Sequence, residues 1–299
     1  MVIPSLPSRV IKSGLLWGTP LSVFFGRVRK AQAELINAGG KLMSIYLRQI
    51  CLVAEQLAPI VDDFKDIMGL EVCFVDKGVA VFGLENSLMP VGSNFIEVVA
   101  PIKEDTAAGR YLKRRNGDGG YMVICQCDFH EVQRARKARA AAMNIRVALE
   151  HESKTFHVMQ LHPADTGGAF FEIDWDAQGA PKGSWEPAGG DGWQRAVHSD
   201  VVKEYRAVEL QSSDPRGLAE RWSTIAEIPL RKDSRGRLEM ALDNASVRFV
   251  EANDGRGEGL GGVDVVPADP RRLLQAAERR GRRVADDQVV ICGTRFYLV

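Results

Sequence analysis

The stretch HVMQLHPADTGGAFFEID, residues 157–174, sets His157, His162 and Glu172 around one Pro/Gly turn. Two imidazoles and a carboxylate can hold a divalent metal, and the same groups can move protons. Strand geometry decides whether they can act together. His157 and His162 have opposite parity, so a regular strand sends them to opposite faces. Without a bulge they cannot both join Glu172 in one coordination shell. His157 shares a face with Met159 and Leu161 and reads as a packed histidine. His162 precedes Pro163 and reads as a turn-stabilising residue, or as a proton-moving neighbour of the site. His130, His151 and His198 fall at helix starts or in loops and carry no signal.

Glu172 has a counterpart in Glu97. Within AFFEID (169–174), Ala169, Phe171 and Ile173 should face helices, leaving Phe170, Glu172 and Asp174 on the other side. In NFIEVV (94–99), Glu97 sits among apolar neighbours, where an unpaired carboxylate is costly. A metal, a hydrogen-bonding partner or a raised pKa would offset that cost. The two glutamates hold equivalent places in an internal repeat, which favours a shared site.

That repeat supplies the elements that must position them. IYLRQICLVA (45–54) reads as a strand and LAPIVDDFKDIMG (57–69) as a helix ending at Gly69. EVCFVDK and VAVFGLE read as two short strands joined near Gly78, and NFIEVVAP as a closing strand. A second copy follows, with YMVICQCD (121–128), the helix HEVQRARKARAAAMN (130–144), then IRVALEHE, FHVMQLH and AFFEIDW. Third and fourth copies open at YRAVELQ (205–211) and GGVDVVP (261–267). In these, Asp214-Pro215-Arg216 and Asp269-Pro270-Arg271 each sit between a strand and a helix, Asp as cap and Pro in the first turn. The closing strands NFIEVV, VRFVEA and TRFYLV rhyme. DAQGAPKGSWEPAGGDGW (176–193), rich in Gly and Pro, reads as a linker.

Four such units, paired two and two, resemble the vicinal oxygen chelate superfamily, which includes glyoxalase I, methylmalonyl-CoA epimerase, extradiol dioxygenases and bleomycin-resistance proteins. The resemblance covers about residues 45–299. It is carried by LRQICLVAEQLAPIVDDFKDIMGL and by the hairpin HPADTGGAFFEID. It implies an α+β fold of four βαβββ modules, arranged as two paired-module cupped sheets with helices outside. The expected divisions are a non-structural extension (1–42), a first paired-module domain with the candidate site (43–178), a linker (179–203) and a degenerate second domain (204–299).

The resemblance also implies ligand positions for a divalent metal (Zn, Ni, Mn, Co or Fe). Gln49 and Glu97 fall there in unit one, and Tyr121 and Glu172 in unit two, Tyr121 departing from the usual histidine. On this reading Gln49, Glu97 and Glu172 bind metal, Glu172 or His162 moves a proton, and Tyr121 and Phe170 line the substrate. The implied function is a metal-dependent lyase or isomerase acting on a small α-oxo or thioester compound. A metal-free protein that binds and sequesters a small molecule is the alternative, which Tyr121 favours. An extradiol dioxygenase ranks third, because neither opening strand of the first pair supplies a histidine. The second pair looks emptied of ligands. Glu251 matches Glu97, Leu298 stands where a fourth glutamate would be, and Gly261 and Gly262 open the last unit.

Composition bounds the rest. Lys+Arg and Asp+Glu number 39 each, so no net charge draws the chain to nucleic acid or an anionic membrane. The runs RARKARAAAM (134–143) and ERRGRRVADD (278–287) read as solvated helix faces. Five cysteines, an odd number mostly in apolar runs, fit reduced thiols and a cytoplasmic protein. Cys125 and Cys127 share a strand face and read as core. The first 42 residues contain Glu34 as their one acidic residue, a composition seen in transit peptides. LLWGTPLSVFF (15–25) is too short, and too interrupted by Pro20, to span a bilayer. A non-structural extension before Met43 is the preferred reading, an overlong start being one form it could take. A small-molecule substrate is expected, without nucleic acid or membrane, and a homodimer is compatible.

Overall fold

The computed structural model describes residues 44–186 and 188–299; the expected extension 1–42 and Met43 lie outside the described residues. The repeat takes shape as follows. Unit one contains β1 (Ile45–Val53), α1 (Leu57–Met68), β2 (Leu84–Val91) and β3 (Asn94–Pro101). A helix, α2 (Ala107–Arg115), leads into unit two: β4 (Gly119–Cys127), α3 (His130–Ala142), β5 (Val147–Glu152), β6 (Phe156–Leu161), the single turn α4 (Pro163–Thr166) and β7 (Phe170–Asp176). Unit three is β8 (Val202–Ser212), α5 (Pro215–Ala226), β9 (Leu230–Lys232), β10 (Leu238–Ala241) and β11 (Ser246–Glu251). Unit four is β12 (Gly259–Pro267), α6 (Pro270–Arg279), β13 (Arg283–Ala285), β14 (Gln288–Ile291) and β15 (Thr294–Leu298).

Within each unit the first strand pairs in parallel with the last, and the remaining strands add antiparallel at the edge. The units then join through their first strands, β1 antiparallel to β4 and β8 antiparallel to β12. One sheet therefore runs β2-β3-β1-β4-β7-β6-β5, and the other β9-β10-β11-β8-β12-β15-β14-β13. They join through their central strands, where Leu260 at the start of β12 pairs with Gly120 at the start of β4. A β-carbon on Gly120 would lie 2.4 Å from Leu260 Cγ and 2.5 Å from its carbonyl oxygen. Gly120→Ala should therefore destabilise the fold by more than about 2 kcal/mol, since backbone on both sides must shift. Thermal unfolding measures this; an unchanged Tm would count against the joint.

Amphipathic helices cover one face of both sheets. Leu218, Trp222 and Ile225 of α5 and Ile60, Phe64 and Ile67 of α1 belong to one continuous apolar core. Asp214 and Asp269 cap α5 and α6 as their spacing implies, accepting from Gly217 N at 2.9 Å and Arg272 N at 3.0 Å. Cys125 and Cys127 lie in this core, and none of the five cysteines is paired.

Two expectations change. EVCFVDK and VAVFGLE do not form a strand pair: Phe74 makes only an isolated bridge to Leu88, and Lys77–Phe82 is a 3-10 helix. The Asp76 carboxylate accepts from Gly78 N at 2.7 Å, and this local turn replaces ladder pairing. The strand forms further on, over LENSLMPV. The 134–143 run is not wholly solvated either. Arg136 is buried, donating from Nε to the Ala226 carbonyl at 2.9 Å and from Nη1 to Cys127 Sγ at 2.7 Å. It ties α3 to the end of α5.

Candidate functional site in the first cup

Strand alternation sends one set of side chains to the uncovered face of the first sheet. β1 presents Gln49, Cys51 and Val53, and β3 presents Phe95, Glu97 and Val99, Cys51 lying beside Glu97 in the parallel register. β7 presents Phe170, Glu172 and Asp174, with Ile124 of β4 beside Glu172. Gln49, Glu97, Glu172, Tyr121 and Phe170 thus share one face. Tyr121 arrives there through a bulge. Cys51 opposes Met122 and Leu52 opposes Gly120, leaving Tyr121 as an extra residue. Its ring packs edge-on against Phe170 at 5.0 Å and Tyr111 of α2 at 4.9 Å. The linker crosses the same face, where Trp185 and Trp193 are buried and Phe95 meets Trp193 at 5.1 Å. Arg48, itself buried, holds the linker by donating to the Ala180 and Gly183 carbonyls at 2.7 and 2.9 Å.

The two glutamates differ in their surroundings. Glu97 accepts from Gln49 Nε2 at 2.7 Å and Asn86 Nδ2 at 2.6 Å, and the Cys51 thiol also hydrogen-bonds to it. Burial raises its pKa, and the three hydrogen bonds from Asn86, Cys51 and Gln49 oppose the rise without cancelling it. Glu172 has fewer donors. Burial raises its pKa to about 7; Asp174 and Gln160, both in hydrogen-bonding contact, oppose the rise, and the charge of Glu97 adds to it. Asp174 is pushed well above the usual carboxylate range, by burial and then by Glu172. Glu172 Oε2 and Asp174 Oδ2 are both buried without a protein donor. A proton shared between the two carboxyls satisfies both oxygens, each of which would otherwise cost about 1–3 kcal/mol. Carboxyls whose environments push their proton affinities apart are the raw material of acid–base chemistry.

Whether this cup suits the metal that the resemblance implies is a question of donors. Both Glu97 oxygens are engaged by amide donors, and Gln49 turns its nitrogen, not its oxygen, toward Glu97. Among the described residues, His, Cys, Asp and Glu ligand atoms converge within 4.8 Å at one place, His130, Glu152 and His157, on the helix-covered side. Tyr121 serves as an aromatic wall. The residues present do not fit a metal held by Gln49, Glu97 and Glu172.

His162 is set apart from Glu172. Its Nδ1 accepts from Ala164 N at 3.1 Å, capping α4, and no hydrogen bond or ion pair joins it to either glutamate. It lines a separate cavity of about 510 Å³ together with Tyr111, Arg115 and Glu258. His157 lies on the opposite face from Glu172, buried among polar partners.

The second cup is not emptied; it is filled with charge. Arg248 reaches Glu209 at 2.9 Å and both oxygens of Asp264 at 2.7 and 2.8 Å. Arg295 and the Tyr297 hydroxyl also reach Glu209, at 3.1 and 3.0 Å. Gly262 makes room: a β-carbon there would come within 2.7 Å of the Tyr297 ring. Glu251, matched to Glu97 by sequence, lies exposed at the end of β11. Arginine cannot be a metal ligand, so this network leaves no metal-site signal in the sequence.

Paired βαβββ-type units with helices on one face define a vicinal oxygen chelate fold. The sequence model of the glyoxalase-like domain family matches residues 50–226, more than half of the chain, and the chain belongs to that family. No curated protein matches it in sequence. Among solved structures, a hypothetical protein from Staphylococcus aureus is similar with TM-score 0.57 at 12% identity, covering 85% of this chain and 99% of that one. Methylmalonyl-CoA epimerase from Mycobacterium tuberculosis matches with TM-score 0.38 at 19% identity, covering 44% of this chain and 88% of its own. The Streptomyces coelicolor epimerase, in complex with 2-nitronate-propionyl-CoA, gives 0.38 at 18%, covering 44% and 97%. Among the described residues no helix is long and apolar enough to cross a membrane.

Proposed function

We propose that this glyoxalase-like protein is an isomerase or lyase acting on a small α-oxo or thioester compound in the first cup, with Glu172 moving the proton. The observation that carries this reading is the Glu172 carboxyl, buried on the cup face beside Asp174 and Glu97, with a proton affinity raised by burial to near neutrality. A base poised near the working pH is half ionised there and transfers protons in both directions. The Glu172 carboxylate takes the proton from the carbon next to the carbonyl and returns it to the same or the neighbouring atom. Burial keeps the Glu172 proton affinity high, and the neighbouring Glu97, held by Gln49, Asn86 and Cys51, adds to it. The buried Tyr121 phenol is held protonated and is the donor at hand for the developing enolate oxygen. Asp174 stores the proton that Glu172 shares.

A second reading, a binding and sequestering protein, draws on the aromatic closure by Tyr111, Tyr121 and Phe170. Saturation-transfer NMR with pyruvate, methylglyoxal and a short acyl thioester tests for occupancy of the cup. Binding of one of these probes is expected, weakened at least tenfold in Tyr121→Ala. Absence of any signal from all three compounds would count against both readings.

A further inference from the structure

The helix-covered side of unit two carries a polar cluster that the first cup does not use. His157 is 1% exposed on β6, and its Nδ1 lies 3.0 Å from His130 Nε2 at the start of α3. Glu152 pairs with His157 across the β5–β6 hairpin, and its Oε1 lies 3.7 Å from the same His130 nitrogen. These three ligand atoms fall within 4.8 Å of one another.

We propose that His130 Nε2, His157 Nδ1 and a Glu152 oxygen form a binding site for a borderline divalent cation such as Zn²⁺, Ni²⁺ or Co²⁺, bracing α3 against the β5–β6 hairpin. Three features argue for it. First, the outer nitrogen of His157, Nε2, donates to Glu150 Oε1 at 2.7 Å, and Lys137 pairs with the same carboxylate. That bond fixes the tautomer, leaving the Nδ1 lone pair aimed at His130. A carboxylate behind a histidine is the usual outer support of a metal-bound imidazole. Second, His130 is held in place by stacking on Trp175, with ring centroids 4.4 Å apart and planes 8° from parallel. Third, the spacing is right. Two nitrogens on a tetrahedral ion at about 2.0–2.1 Å stand roughly 3.3 Å apart, so the 3.0 Å gap opens by only a few tenths of an ångström.

In the metal-free state the His130 Nε2 hydrogen lies between the two imidazoles; when the cation takes its place His130 shifts to the Nδ1–H tautomer, water accepting the proton from Nε2 and returning one to Nδ1, so that the ring stays neutral. Arg134 Nη2 sits on Glu152 at 3.0 Å. Its side chain is 57% exposed and can leave that carboxylate when the cation arrives. Glu152, 45% exposed, leaves the fourth position to water. The ligand set, two imidazoles and one carboxylate, selects these metals over Mg²⁺ or Ca²⁺.

The test uses tag-free full-length protein stripped with EDTA and exchanged into chelator-free buffer. Zn²⁺ is titrated calorimetrically, and Co²⁺ binding is followed by its visible d–d absorption. One Zn²⁺ per chain is expected, with a tetrahedral Co²⁺ spectrum. His130→Ala and Glu152→Ala, both at positions outside the core, should each weaken binding at least tenfold. Glu172→Gln in the cup should leave it unchanged. Circular dichroism confirms that each variant is folded. Stoichiometry below a tenth of an equivalent would overturn the proposal. So would binding lost in Glu172→Gln and retained in His130→Ala.

Discussion

Glu172→Gln is expected to melt well above the wild type at pH 8 and close to it at pH 4.5. The sign follows from linkage. The folded-state pKa of Glu172 is raised from 4.5 to about 7, so protonated Glu172 contributes stability that is fully present below its unfolded value. That contribution is lost as pH rises through about 7. A raised carboxyl is therefore a liability at alkaline pH, worth on the order of 3 kcal/mol from the size of the shift. Glutamine, neutral at every pH, removes the liability. For a unit of this size the gain corresponds to about 5–10 °C in Tm. The groups facing Glu172 are Asp174 on its own strand, Gln160 on β6, and Glu97 and Cys51 across the cup. Of these, Asp174 rises with it, so Asp174→Asn should shift the gap toward higher or lower pH without reversing its sign. A gap that opens on acidification, or no gap between pH 4.5 and 8, contradicts the assignment.

The second large effect lies in the other cup. Arg248→Met should destabilise the protein by about 3 kcal/mol, because Glu209 is left a buried carboxylate and Asp264 a half-buried one without their shared partner. The Arg248 and Glu209 side chains are 6% and 5% exposed, so water cannot substitute for the lost ion pairs. Arg295 and Tyr297 still reach Glu209, whereas Asp264 loses a bidentate partner outright. Combining Arg248→Met with Asp264→Asn should therefore recover part of the loss, a coupling that a double-mutant cycle reads directly. Urea unfolding of the four proteins measures it. Additive single effects would mean the network is not cooperative.

Much of this was legible in the sequence, for definite reasons. Strand parity placed Phe170, Glu172 and Asp174 on the cup face and Phe171 and Ile173 on the helix side, and the structure agrees. The Asp-Pro-Arg caps located α5 and α6 because capping is local chemistry. What escaped was either non-local or depended on register. His130 and His157 are 27 positions apart on different elements, and only the packing of α3 on the sheet brings them together. The facing of Glu152 and His157 across the β5–β6 hairpin was the available signal. The Tyr121 bulge leaves no trace in the letters, and the Asp76 turn looked like a strand because its valines suit one. The charge network of the second cup is built from arginines, with a glycine making room for it, and residues of these types carry no metal-ligand pattern in the letters.

The measurement closest to the central claim is proton exchange at the carbon next to a carbonyl, followed by ¹H NMR in D₂O with EDTA present. Pyruvate, methylglyoxal and a short acyl thioester serve as probes. The wild type should accelerate deuterium incorporation into at least one of them over buffer. The rate should rise with pH through about 7 as Glu172 ionises. Glu172→Gln should lower it by at least a hundredfold, a typical loss for removing a general base. Exchange no faster than in buffer, or exchange that appears only when a divalent metal is restored, would contradict a carboxylate-driven site in the first cup.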